Sequence, residues 1–139
     1  ADVARINIVI STLSYRTFGN ITLPSSLTSI GIYAFRDCTN LVSISLPAGV
    51  TSIGAYAFQG CTKLALISLP AGVTSIGAYA FYNCTSLTDV TFQGTPTSIG
   101  TSAFYGCTNL TIINVPWASG AVAGAPWGAT NATINYNYV

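Results

Sequence analysis

Four cysteines stand at positions 38, 61, 84 and 107, each 23 residues from the next. Thiols at such a strict interval could ligate a metal, form disulfides or pack as small apolar groups. A zinc site wants close pairs, such as C-x2-C, converging with further Cys or His on one point, and a ladder strung along an axis does not converge. Disulfides are harder to set aside, because neighbouring strands lie about 4.8 Å apart, within the Cα separation of real bridges. Equivalent side chains in a ladder nevertheless point the same way, and bridging would buckle it. The expectation is inward thiols filling a core as small hydrophobes. Thiol and disulfide both stay open, and the redox compartment is not legible.

The remaining reactive groups are few. Asp2, Asp37 and Asp89 are the only carboxylate side chains, and the chain has no histidine and no glutamate. Without histidine, neither a Ser-His-Asp nor a Cys-His arrangement can be built. Two of three isolated aspartates would have to meet in a sugar cleft to make a glycosidase pair. The expectation is a protein that is not an enzyme and uses no cofactor or metal. Only 5% of the 139 residues are charged, against roughly 25% in an average domain. The net charge of +1 is spread over Arg5, Arg16, Arg36 and Lys63. That offers no basic patch for nucleic acid or for an anionic membrane.

The longest apolar runs, around Ile6 to Ile10 and Leu64 to Leu69, are strand-sized and far short of the ~18 residues of a membrane-spanning helix. Direct membrane insertion is not expected. The chain has no methionine and no basic stretch leading into an apolar one, so no signal peptide is visible. It reads as an excised or processed piece of a larger protein.

The elements that position the cysteines are repeated with them. Ile21-Thr22-Leu23-Pro24, Ile44-Ser45-Leu46-Pro47 and Ile67-Ser68-Leu69-Pro70 follow one another at 23 residues, and Val90-Thr91-Phe92 and Ile113-Asn114-Val115-Pro116 continue the series. Ser-Ile-Gly recurs at 29–31, 52–54, 75–77 and 98–100, and Ala-Phe at 34–35, 57–58, 80–81 and 103–104. Residues 44–58 and 67–81 are identical over fifteen positions. Such self-similarity marks a repeat architecture.

Within one repeat the alternation at Ile44 and Leu46 predicts a short strand with Ser45 outward. Pro47 ends it, since proline donates no ladder hydrogen bond. After the Ala48-Gly49 turn, Val50-Thr51-Ser52-Ile53 predicts a second strand ended by Gly54. Ala57, Phe58, Cys61 and Leu64 carry spacing that suits one or two helical turns with one face inward. A single repeat cannot bury these faces, whereas stacked copies make a continuous core. Phe35, Phe58, Phe81 and Phe104 are expected in that core.

The pattern L-x-x-I-x-L-P-x-x-V-T-S-I-G-x-x-A-F-x-x-C-T-x-L resembles the BspA-type leucine-rich repeat of bacterial surface proteins. The resemblance covers residues 21–112 in four copies (21–43, 44–66, 67–89 and 90–112), with weaker echoes on both sides. It implies a leucine-rich-repeat solenoid with parallel strand ladders and short helical turns. It also implies a modular, secreted or surface-attached parent protein with a part in adhesion to host proteins or neighbouring cells.

Residues 1–20 and 113–139 depart from the pattern and are expected to cap the solenoid, whose open edges would otherwise template aggregation. One period beyond Phe104 and Cys107 stand Trp127 and Thr130, expected in the phenylalanine and cysteine slots. The alternation of Ala132, Ile134, Tyr136 and Tyr138 predicts a closing strand.

Ligand contacts are expected where first-strand positions face out and vary between copies. The candidates are Val42, Ser43, Ser45, Leu66, Ser68, Thr88, Asp89, Thr91, Thr111, Ile112 and Asn114. Exposed apolar residues such as Leu66 and Ile112 on a flat sheet mark a contact surface, unless a neighbouring loop covers them. The expected partner is a protein or glycan on a host or neighbouring cell, with oligomeric state undetermined. A rigid stalk or phage tail-fibre segment without its own ligand is the alternative. Thr22 and Thr91, with the row Thr51, Thr74 and Thr97, raise ice binding as a third reading, weakened by Ser45 and Ser68 interrupting the first row and by the lack of a flat two-column threonine array.

Overall fold

The computed structural model describes residues 19–139. The strand expected at Ile6 to Ile10, with the N-terminal cap up to residue 18, lies outside the described residues. Ten short strands follow: β1 (Asn20–Thr22), β2 (Ser29–Ile30), β3 (Ser43–Ser45), β4 (Ser52–Ile53), β5 (Leu66–Leu69), β6 (Ser75–Ile76), β7 (Asp89–Phe92), β8 (Ser98–Ile99), β9 (Ile112–Asn114) and β10 (Thr133–Asn135). The repeat therefore folds as a parallel solenoid of about 23 residues per turn.

The second strand of each turn builds one continuous parallel sheet, β2-β4-β6-β8. Its register follows the period residue for residue, Ile30 on Ile53 on Ile76 on Ile99. The first strands divide into two sheets, β1-β3 and β5-β7-β9-β10. The ladder is thus interrupted between β3 and β5, although Ala65 N–H still donates to the Val42 carbonyl at 3.3 Å.

The core is a stack of like on like. Phe35, Phe58, Phe81 and Phe104 are fully buried, with ring centroids 5.1, 5.2 and 5.4 Å apart and nearly parallel planes. Leu41, Leu64, Leu87 and Leu110 form a second buried column. Burial of each column depends on the neighbouring turn, so no single repeat holds its own core.

The segment expected as a helical turn takes another form. Among the described residues there is no helix. In residues 54–61, Ala57 N–H bonds to the Gly54 carbonyl and Cys61 N–H to the Phe58 carbonyl. These close two successive tight turns. The third residue of each has positive φ, +58° at Tyr56 and +75° at Gly60, as a type II turn requires. A left-handed residue every few positions cannot continue an α-helix. Equivalent residues before the other cysteines are Asp37, Asn83 and Gly106, also at positive φ, types that tolerate that region. Phe58 N–H reaches forward to the Ala80 carbonyl at 2.7 Å and Gly60 N–H to the Tyr82 carbonyl at 2.8 Å. The turns therefore form a third intercoil ladder in place of helical bonds.

The glycine of Ser-Ile-Gly has a steric cause. A Cβ on Gly77 would lie 2.3 Å from the Ala55 backbone nitrogen, and one on Gly100 would lie 2.3 Å from that of Ala78. The chain crosses its neighbour too closely there for any side chain.

The last turn departs from the fixed step. Thr133 pairs with Ile112 and Ile134 with Ile113, a spacing of 21 instead of 23. The expected closing strand is present as β10. Thr130 is exposed, however, and Ala129 is buried in its place. Trp127 is buried as expected, but its ring packs on Phe92 and Trp117, at 6.4 and 6.2 Å. The phenylalanine stack ends at Phe104, and an edge-on aromatic cluster closes the core.

Candidate binding face

Outward side chains of the first strands fall into two columns. One runs Asn20 to Ser43 and then, beyond the break, Leu66, Asp89, Ile112 and Thr133. The other runs Thr22 to Ser45, then Ser68, Thr91, Asn114 and Asn135. The face thus brings Ser43, Ser45, Leu66, Ser68, Asp89, Thr91, Ile112 and Asn114 together. Val42, Thr88 and Thr111 sit just before the strands, all exposed. Leu66 is the most open of the apolar candidates at 58%, followed by Val42 at 47%. Asp89 and Ile112 are half-buried beside it.

Several of these polar groups are engaged within the fold. Thr88 and Thr111 hydroxyls donate to the carbonyls of Ala65 and Thr88. The Asn114 side chain is buried; its amide donates to Thr91 Oγ1 at 3.2 Å and its oxygen accepts from Asn135 at 2.8 Å. Asn114 therefore orders the column more than it offers contacts. The Ser43 hydroxyl donates to Asn20 Oδ1.

Over the first strands of the early turns the surface is concave in two places. A hollow of about 350 Å³ is lined by residues that include Ile44, Ser45, Leu66, Ser68, Ala71 and Gln93. A second, of about 270 Å³, includes Thr22, Ser25, Ser45 and Pro47. Both include Ser45, so the two adjoin over β1, β3 and β5, with Gln93 at the far end, and together form a shallow trough. Ile44 and Leu46 beneath it are each 9% exposed, against 2% and 0% for Ile67 and Leu69 one turn on. Gln93, whose amide donates to Ser68 Oγ at 2.7 Å, was not among the expected contacts. Its signal is a break in the pattern, since it stands in the slot that Pro47, Pro70 and Pro116 occupy.

The family model for the BspA type leucine-rich repeat region matches residues 7–121 in six copies. The chain belongs to this family. The BspA-type solenoid is also similar to solved bacterial structures. A leucine-rich repeat protein of T. pallidum (TpLRR) is 32% identical with a TM-score of 0.64, over 85% of this chain and 51% of that one. One from Eubacterium ventriosum is 28% identical, TM-score 0.68, over 86% and 33%. The pneumococcal vaccine antigen PcpA is 22% identical, TM-score 0.71, over 86% and 31%, and shows the fold alone. The chain thus spans about half the length of the first and a third of the others. No curated protein matches the sequence.

Two further ladders of this BspA-type chain lie off the strand face. Tyr33, Tyr56 and Tyr79 stack at 5.3 and 5.2 Å, with Tyr82 edge-on to Tyr79 at 5.6 Å and stacked on Tyr105 at 5.7 Å. Tyr56 is sandwiched between Tyr33 and Tyr79, whereas Tyr33 and Tyr105 at the ends of the row are exposed. Thr51, Thr74 and Thr97 each donate a hydroxyl to the carbonyl of the threonine one turn earlier.

The cysteines line the interior as buried thiols, with no disulfide among them. Cys61, Cys84 and Cys107 donate to the carbonyls of Phe35, Phe58 and Phe81 at 3.0–3.1 Å. The hydrogen bond with the Cys38 thiol, together with burial, pushes Cys61 ionisation far above the ordinary thiol range. Burial and then the Cys107 thiol do the same to Cys84. Among the described residues no three metal-binding side chains cluster.

A pH dependence follows from these thiols. The fold holds them neutral, so their contribution is complete below the unfolded thiol pKa of about 8.5 and declines above it, as the unfolded chain ionises alone. Urea midpoints are expected to fall between pH 7 and pH 9.5. A Cys61→Ala/Cys84→Ala variant should show a shallower fall; an identical slope would contradict the assignment. A thiol reagent should leave both residues unmodified until the chain unfolds.

Proposed function

We propose that this chain is a non-catalytic, protein- or glycan-binding adhesion module of a modular bacterial cell-surface or secreted protein, acting through the first-strand face. The observation that carries this reading is the outward row Leu66, Asp89, Ile112 beside the trough at the β3–β5 break. An apolar group as open as Leu66, set in a neutral polar field on a rigid sheet, is a contact surface in search of a cover. The acid–base inventory of three aspartates supports a role without catalysis. The bacterial origin of the 32% and 28% identical structures supports the cellular setting.

A Leu66→Ala/Asp89→Lys/Ile112→Ala variant tests this face. Labelled chain applied to bacterial and epithelial cells is expected to bind at least ten-fold more weakly as the variant, with an unchanged melting curve. Equal binding by the two would reject the face.

The near-identical turns 44–58 and 67–81 favour a second reading, a rigid spacer whose recognition lies elsewhere in the parent. Absence of cell binding by the unsubstituted 139-residue chain would select it.

A further inference from the structure

We infer that the trough over the β3–β5 break takes an extended, uncharged glycan, lying along the solenoid axis with about one sugar ring per turn. This rests on the binding reading above and names the ligand class of that face. Three observations carry it. First, among the described residues no charged side chain lines either hollow, so neither a polyanion nor a polycation gains from the site. Second, its groups are those that suit a pyranose. The Ser45 and Ser68 hydroxyls and the Gln93 amide meet sugar hydroxyls, while Leu66 and Ala71 meet the apolar C–H faces. Third, the polar groups recur once per turn, Thr22, Ser45 and Ser68 lying in successive rungs of one outward column.

Neighbouring strands are separated by about 4.8 Å, close to the advance of one pyranose unit in an extended glycan. An extended peptide advances by ~3.3 Å per residue, so its side chains would fall out of step with the rungs. A peptide bound by strand addition would also need an open sheet edge, and the trough runs across the strands. Gln93 bonded to Ser68 Oγ is held in place before a ligand arrives, which reduces the ordering cost of binding.

The test is titration of the full chain with neutral β-1,4-linked oligosaccharides, cellohexaose and xylohexaose, and with their shorter homologues. Affinity should rise at least ten-fold from disaccharide to tetrasaccharide and then level off, as the trough fills. A Ser45→Ala/Ser68→Ala/Gln93→Ala variant should bind the hexamers at least ten-fold more weakly with its melting curve unchanged. Failure of every neutral oligosaccharide to bind, or equal binding by parent and variant, would overturn the glycan. Heparin binding tighter than either hexamer would also overturn it.

Cell binding separates this failure from failure of the broader reading. Periodate treatment of the cells, which cleaves vicinal diols, should abolish binding of labelled chain. Binding that survives periodate and is lost to protease overturns the glycan and points to a protein partner. Absence of binding to untreated cells overturns both.

Discussion

Replacing Phe58 by alanine is expected to destabilise the protein by about 3–5 kcal/mol, the range for truncating a buried phenylalanine. Its ring is fully buried and lies between Phe35 and Phe81 at 5.1 and 5.2 Å. The cavity left behind cannot collapse readily. The turns above and below are tied at the same place, by Phe35 N–H to the Ala57 carbonyl and Phe58 N–H to the Ala80 carbonyl, both 2.7 Å. Loss of the ring also divides the phenylalanine stack into separate parts. Tyr56→Ala is the matched comparison, because Tyr56 is stacked in the same way, 5.3 and 5.2 Å from its neighbours, but is only partly buried. It should cost nearer the ~1 kcal/mol of an aromatic pair. Urea denaturation of both variants decides the matter, and a Phe58→Ala midpoint matching the parent would refute the core described above.

Gly77→Ala should be as damaging through the opposite mechanism. The added methyl would stand 2.3 Å from the Ala55 nitrogen, 2.7 Å from its Cα and 2.7 Å from the Gly54 carbonyl carbon. All three are backbone atoms, so no side chain can rotate away. Relief requires the two turns to separate, which strains the Gly77 N–H bond to the Ile53 carbonyl at 2.8 Å. A cost at or above the ~3 kcal/mol upper end for ordinary overpacking is expected. At Gly72 the same methyl would come no nearer than 3.5 Å to the Ala48 carbonyl oxygen, an ordinary contact. Gly72→Ala should therefore fold like the parent. If thermal melts rank the two variants together, the close crossing is not a feature of the folded chain.

Much of this fold was legible because repetition does the work of an alignment within one chain. Ile44, Ile67 and Val90 had to be inward, and Ser45, Ser68 and Thr91 outward, in any stacking that keeps like on like. The segment from Gly54 to Cys61 was less decidable. Apolar residues at Ala57, Phe58 and Cys61 suit a helix face, and they suit two tight turns equally well. The distinguishing signal was the residue before each cysteine, Asp37, Gly60, Asn83 or Gly106. These types share little except tolerance of positive φ.

The candidate face was half visible in the same way. Outward positions could be enumerated from alternation, and the structure sets Leu66, Asp89 and Ile112 side by side. The internal hydrogen bonds of Asn114 were not legible, because its partners, Thr91 and Asn135, come from adjacent turns. Asn135 falls outside the constant step, arriving 21 residues after Asn114.

The period, the inward column of Phe, Leu and Cys, and the poverty of charge and acid–base groups follow from the residues alone. Each is a property of residue type and spacing, repeated until no other arrangement buries it. Where the ladder opens does not follow from them. The strands on the two sides of the break share Ile-Ser-Leu, Ile44 to Leu46 and Ile67 to Leu69, so nothing local distinguishes them. The separation of two turns is set by all three intercoil ladders and the packed columns together. That sum is not written in any one repeat, and the trough at Ser45, Leu66 and Ser68 depends on it.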